Sequence, residues 1–158
     1  MDLHALCVRL LPRNTLGRIR YFTALVNRRT EPRAPVRQAT YPRALACFPL
    51  ISTHYGHFLT TVTRMPLARA VPGGPKTVEV IKTAENGSDV NLATYLLADA
   101  FRADAQVFVV VSNDSDLVEP IRLVRQDLRL AVGIVNPHPA PKRSRALLRC
   151  EPTKPAGW

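Results

Sequence analysis

Apolar and polar positions alternate between two periods along this chain, and the switches mark the elements. Leu3, Leu6, Cys7 and Leu10 recur at helical spacing, with Asp2 placed to cap a helix over 2–11. Residues 19–26, 51–58 and 77–82 read as strands rich in β-branched and aromatic residues. Gln38 to Phe48 has helical spacing, and Pro42 should kink that helix or delay its start. Val90, Ala93, Leu97 and Ala100 fall at i, i+3, i+7 and i+10, with Leu96 and Phe101 widening the same face, which predicts a helix over 88–104. Val107 to Val111 is apolar at every position, as in a parallel strand covered on both faces, and the strand should extend to 112. A helix over 117–129, a strand over 132–135 and a helix from about 144 follow. The alternation predicts an α/β fold with a mainly parallel sheet. Arg28 to Pro35 and Pro66 to Pro75 read as loops, the second holding a Pro72-Gly73-Gly74-Pro75 turn that could border a substrate groove.

Candidate chemistry gathers where two of these elements end. Val111 is followed by Ser112-Asn113-Asp114-Ser115-Asp116, so two carboxylates stand just past the carboxyl end of a strand, where open α/β sheets bind ligands. Carboxylate oxygens at that place suit a hard cation such as Mg²⁺. A plainer account competes: Asp116 caps the next helix, and Asp116 with Glu119 has the spacing of a capping box. That account leaves Asp114 without a role. A third acid, Asp89, follows Ser88, the natural N-cap of the 88–104 helix, and by itself needs no more than complementation of the helix dipole.

Taken together, Lys82…Gly87-Ser88-Asp89-Val90-x-Leu92-Ala93 and Val109 to Leu117, with the following amphipathic helix and the Val132-Gly133-Ile134-Val135 strand, resemble the NYN domain, a branch of the PIN-like ribonuclease superfamily. The strong part of the likeness runs from Lys82 to Asn136. It implies a three-layer, mainly parallel PIN-like (Rossmann-like) sheet flanked by helices. It also implies a metal-dependent endoribonuclease that hydrolyses RNA phosphodiester bonds. Asp89, Asp114 and Asp116 would be the catalytic acids holding Mg²⁺ or Mn²⁺. Ser112, Asn113 and Lys82 would orient those carboxylates or hold a phosphate oxygen. Arg64, Arg69 and Lys76, expected nearer the acids than the other basic residues, would bind RNA.

The chain departs from the family pattern at its start. NYN domains open with a hydrophobic strand ending in an aspartate, and here Met1-Asp2 runs straight into a helical pattern. The next apolar run, Ile19 to Val26, holds no acid. In the PIN-like arrangement that strand is central, so two neighbours would lose their backbone partner along with one metal ligand. A start assigned too late is one account. The other is a catalytically inactive copy, an RNA- or protein-binding module. A phosphatase of the haloacid dehalogenase kind, suggested by Asp114-Ser115-Asp116, fails because only Glu119, Asp127 and Glu151 follow as acids.

Charge and composition adjust this picture. A net charge of +10 in 158 residues points to a polyanion, and arginine pairs bidentately with phosphate. Fourteen prolines beside the many arginines and alanines fit a GC-rich coding bias, which discounts the charge. Three scattered cysteines, Cys7, Cys47 and Cys150, lack metal-ligand spacing and suggest a reducing, cytoplasmic setting. No run approaches the ~18 apolar residues of a membrane span, and no signal peptide is visible. His54 and His57 sit at an offset that puts them on opposite faces of a strand, as structural or solvent-facing groups. One domain over 1–149 and a loose tail over 150–158 are expected. RNA is the expected partner, with homodimerisation left open and no membrane.

Overall fold

The computed structural model describes residues 2–25, 34–69 and 72–150. Helix α1 (Leu3–Leu10) starts as predicted, with Asp2 Oδ1 accepting the Ala5 N–H at 3.0 Å. Strand β1 (Ile19–Leu25) lies parallel to β2 (Ile51–Pro66), from Ile19 opposite Ile51 to Leu25 opposite His57. Between them runs α2 (Ala34–Leu45), which starts before the predicted point and holds Pro42 inside. Pro42 has no N–H to give to the helical ladder, and the helix ends three residues beyond it. Of the Pro/Arg-rich loop expected at 28–35, residues 28–33 lie outside the described residues, and Ala34 and Pro35 belong to α2.

Beyond Gly56 the ladder changes character. β2 runs on to Pro66, eight residues past the expected end, and pairs antiparallel with β3 (Thr77–Asn86), from His57 opposite Asn86 to Pro66 opposite Thr77. The predicted strand at 77–82 therefore continues through Asn86. Threonines and β-branched residues across both runs (Thr60, Thr61, Val62, Thr63 and Thr77, Val78, Val80, Ile81) suit a long pleated ribbon. Helix α3 (Ser88–Phe101) leads to β4 (Val107–Val111), a 3-10 turn (Ser115–Leu117) and α4 (Val118–Gln126). Then come β5 (Ala131–Val135), parallel to β4, a second 3-10 turn (Ala140–Lys142) and α5 (Arg145–Cys150). The tail expected from 150 begins inside α5 at Cys150, and 151–158 lie outside the described residues.

The fold is α/β, and two of its three strand pairings are parallel. Among the described residues the strands form two sheets, β1-β2-β3 and β4-β5, with no ladder between them. Among the described residues β1, β3, β4 and β5 each have one unpaired edge. Helix α3 spans both sheets. Its Leu96 and Ala100 join the main core with Val110 of β4, Leu117, Ile121 and Val124 on and before α4, Val132 of β5 and Leu147 of α5. Leu117, Ile121 and Val124 repeat at helical spacing and are at most 1% exposed, so the amphipathic stripe of α4 is what closes this half. The first sheet buries less, chiefly Ala24, Leu45 and Ile51.

Candidate active site

The site is built where β3 hands over to α3, beside the loop after β4. The handover needs two glycines. Gly87 takes the N-cap place of α3 with φ 95°, a left-handed backbone that glycine adopts without a steric cost. Gly56 on β2 lets that turn lie close: a Cβ there would sit 2.6 Å from the Asn86 carbonyl oxygen and 2.9 Å from the Ser88 nitrogen. Ser88 is therefore the first helical residue and not the cap. Its N–H donates to Glu85 Oε1 at 3.2 Å, and its hydroxyl is buried with no hydrogen-bond partner. Neither Glu85 nor Gly56 was singled out from the sequence. A glycine inside a strand pattern was the available signal for Gly56.

Asp89 stands in the first turn of α3. The residue reaches solvent, yet its carboxyl group is turned among acids and its pKa is raised. Lost hydration is the first cause, followed by the Asp114 and Glu85 carboxylates, a side-chain hydrogen bond with Asp114, and the more distant Asp116. Across 25 positions of sequence the fold thus sets Asp114 beside the Asp89 carboxyl closely enough to raise its pKa, with Glu85 and Asp116 adding to the effect.

Asp114, and not Asp116, caps the turn after β4: its Oδ1 accepts the Asp116 N–H at 2.9 Å. The capping box expected between Asp116 and Glu119 does not form, because Glu119 is taken by the Arg122 guanidinium at 2.7 and 2.9 Å. Ser112 supports the turn by accepting the Asp114 N–H at 3.0 Å. Asn113 faces the other way. Its Oδ1 accepts from Ser144 N–H and Asn136 Nδ2 at 2.7 and 2.6 Å, and its Nδ2 donates to the Lys142 carbonyl at 3.0 Å. Its amide ties the acid-bearing loop to the segment after β5.

The basic residues expected nearby are elsewhere. Arg64 pairs with Glu79 on the exposed ribbon at 3.3 Å, and Arg69 and Lys76 lie beyond it toward the ribbon tip. Seven strand steps separate Glu79 from Asn86, or about 23 Å at the usual rise. Expecting them near the acids treated the segment before Asp89 as compact, and an extended ribbon carries them away. Lys82 is exposed on β3 opposite Thr61.

A second polar cluster was not foreseen. Asp99, on the inner side of α3, receives Arg20 of β1 in a bidentate pair at 2.6 and 2.7 Å. Arg18 and Arg102 stand 3.7 and 3.9 Å away. The Arg20 guanidinium also lies 4.5 Å over the Tyr95 ring and 3.1 Å from His54 Nε2, while Ser52 Oγ lies 3.0 Å from that nitrogen. His54 packs against Phe22 and Tyr95, at 5.1 and 4.1 Å between centroids, the two rings also touching each other at 6.1 Å, and burial with Arg20 beside it lowers its pKa. This cluster anchors β1 and β2 to α3 and makes His54 structural, as its strand position suggested. Arg18 and Arg20, counted among the basic residues, are spent within the protein.

A divalent ion is what the family resemblance implies for this acidic cluster. Among the described residues no three His, Cys, Asp or Glu side chains stand close enough to coordinate one ion. The chemistry of the pair nonetheless fits: hard oxygen donors face one another, and Asp89 resists ionisation there. Mg²⁺ commonly uses one or two carboxylates and completes its shell with water and substrate phosphate. Asp89 and Asp114 are the two carboxylates that would hold such an ion, with Asp116 and Glu85 as further negative charge.

No helix among the described residues is long and apolar enough to cross a membrane. Neither a curated protein nor a solved structure matches the chain significantly. The NYN domain family matches residues 2–153, nearly the whole length, with both acidic segments inside the match. By that match and by its α/β architecture, the chain belongs to the NYN domain family, within the PIN-like nuclease superfamily.

Proposed function

We propose that this chain is a metal-dependent endoribonuclease that hydrolyses RNA phosphodiester bonds, with Asp89, Asp114 and Asp116 as the metal-binding acids. The observation that supports it most is the approach of the Asp89 carboxyl to Asp114, which leaves negative charge gathered beyond the carboxyl end of β4. A cap or a dipole partner would explain either acid alone, but neither explains why the two share one spot. Bound Mg²⁺ or Mn²⁺ would supply charge neutralisation at the phosphoryl group and a more acidic water. The chain's own part is positioning. Asp114 is fixed by its bonds to the Asp116 and Ser112 groups, Asp89 is held on the α3 turn by Gly87, and Asn113 locks the loop behind them. Lys82 is the basic residue on the strand leading to the site and is our candidate for a phosphate contact, while Arg64, Arg69 and Lys76 would meet RNA farther out along the ribbon. The three free thiols fit a cytoplasmic location.

A second reading is an RNA- or protein-binding module without catalysis. The unpaired edges of β1 and β4 and the lack of a third converging acid favour it. Cleavage of a mixed RNA pool with Mn²⁺ or Mg²⁺ separates the two. On the first reading the chain cuts RNA only with the metal, and Asp114→Asn lowers the rate at least a hundredfold while its circular dichroism and RNA affinity stay as in the parent. Cleavage by Asp114→Asn at the parent's rate removes the metal assignment. RNA binding with no metal-dependent cleavage establishes the second reading.

A further inference from the structure

We propose that two copies of this chain join edge to edge through β3, antiparallel about a two-fold axis at Ile81, into one four-stranded sheet. β2 covers one side of β3 along all ten of its residues, and among the described residues no strand pairs with the other side. A long unpaired edge is the part of a sheet most ready to accept another strand, and a lone two-stranded ribbon is marginal in water. This ribbon is also apolar where it should be polar. Val62 and Ile81 face each other across the ladder, 70% and 75% exposed, with Thr60–Thr83 on one side of them and Arg64–Glu79 on the other.

Symmetry selects the occupant. A two-fold axis between antiparallel strands stands perpendicular to the sheet, so opposed residues share a face and their numbers sum to an even value. A sum of 164 sets Lys82 against the partner's Lys82 and Glu79 against the partner's Glu85. A sum of 158 sets Glu79 against the partner's Glu79. A sum of 160 buries Ile81 against the partner's Glu79. Only 162 places Ile81 against the partner's Ile81, with Glu79 beside the hydroxyl of the partner's Thr83 and Lys82 beside the partner's Val80. Residues 77–85 then pair with no like charges opposed. Val62 and Ile81 of each copy form one unbroken apolar row, with Arg64–Glu79 of each copy continuing into Thr83–Thr60 of the other. A foreign strand has no reason to fit this self-complementary series.

Sedimentation equilibrium of the full chain tests the pairing, with a dimer expected at micromolar concentration. Ile81→Lys should weaken self-association at least tenfold with unchanged circular dichroism. In a Cys47→Ser background, Ile81→Cys should give a disulfide-linked dimer on mild oxidation, since the two positions meet at the axis. Val62→Cys should not, because its mate lies three strand spacings away, about 14 Å, beyond disulfide reach. A monomeric parent overturns the proposal, and so does a dimer that survives Ile81→Lys or cross-links equally through Val62→Cys. If that monomer loses RNA affinity on Ile81→Ser, the ribbon is an RNA-binding surface instead.

Discussion

Arg20 and Asp99 show how one side-chain pair can decide whether this architecture holds. Asp99 is 8% exposed, and Arg20 lowers its pKa through two short hydrogen bonds. Removing one member of such a pair strands the other charge away from water, which costs about 3–5 kcal/mol when burial is complete. Arg20 keeps some solvent contact, so the lower end applies. Arg20→Ala should therefore destabilise the protein by about 3 kcal/mol, read from urea unfolding midpoints. Arg102→Ala, whose side chain is largely exposed at 3.9 Å from Asp99, should cost under about 1 kcal/mol. If both variants unfold at the parent's midpoint, the cluster does not hold β1 to α3. Sequence alone could not pair these residues: 79 positions separate them, and in a chain of 22 basic residues Arg20 looks like any other surface charge.

At the scale of elements, the local signals that served best were periodic ones. The 3.6-residue repeat on α3 and α4, the unbroken apolar run of β4 and the Asp2 cap of α1 were all legible, because each follows from residues a few positions apart. The ribbon was not, because strand length depends on the partner: Phe58 to Pro66 is extended only because β3 lies beside it. The caps near the acids were misread for a related reason. Asp114 and Asp116 both had capping chemistry, and the 3-10 turn that decided for Asp114 was invisible in the sequence. Gly56 joins these levels, since the β3–α3 handover lies against its bare Cα. A new methyl would meet the Glu85 carboxylate and two backbone atoms, the Asn86 oxygen and the Ser88 nitrogen. The backbone atoms cannot swing aside, so the turn itself must shift, at about 1–3 kcal/mol. Gly56→Ala should lower stability by that amount and weaken Mn²⁺ binding, followed by the metal's paramagnetic relaxation of water protons. Unchanged metal affinity would show that the turn does not set the position of Asp89.

Across the whole molecule, stability against pH should reveal the two clusters as opposites. His54 has a folded pKa below its unfolded value near 6.5, so the unfolded chain binds the proton more readily. Its contribution is intact above about pH 6.5 and is lost as pH falls through the lowered folded value. Asp99 adds a second loss below its ordinary value of 3.8, where the unfolded carboxyl takes up a proton that the native one refuses. Asp89 has the reverse sign. Its folded pKa is raised, so the native state holds a proton that the unfolded state has released, and the acidic cluster becomes less unfavourable as pH drops toward that value. Urea midpoints should therefore fall from pH 7.5 to pH 5.5 in the parent and fall less in His54→Gln. Asp89→Asn should be more stable than the parent at pH 7.5, with the advantage shrinking as pH falls toward the raised value. Millimolar Mg²⁺ should stabilise the parent at pH 7.5 and stabilise Asp89→Asn clearly less, because the variant lacks one of the two facing carboxylates whose repulsion a dication relieves. Equal Mg²⁺ effects on both would place the ion elsewhere on the protein, and the acidic cluster would then be structural.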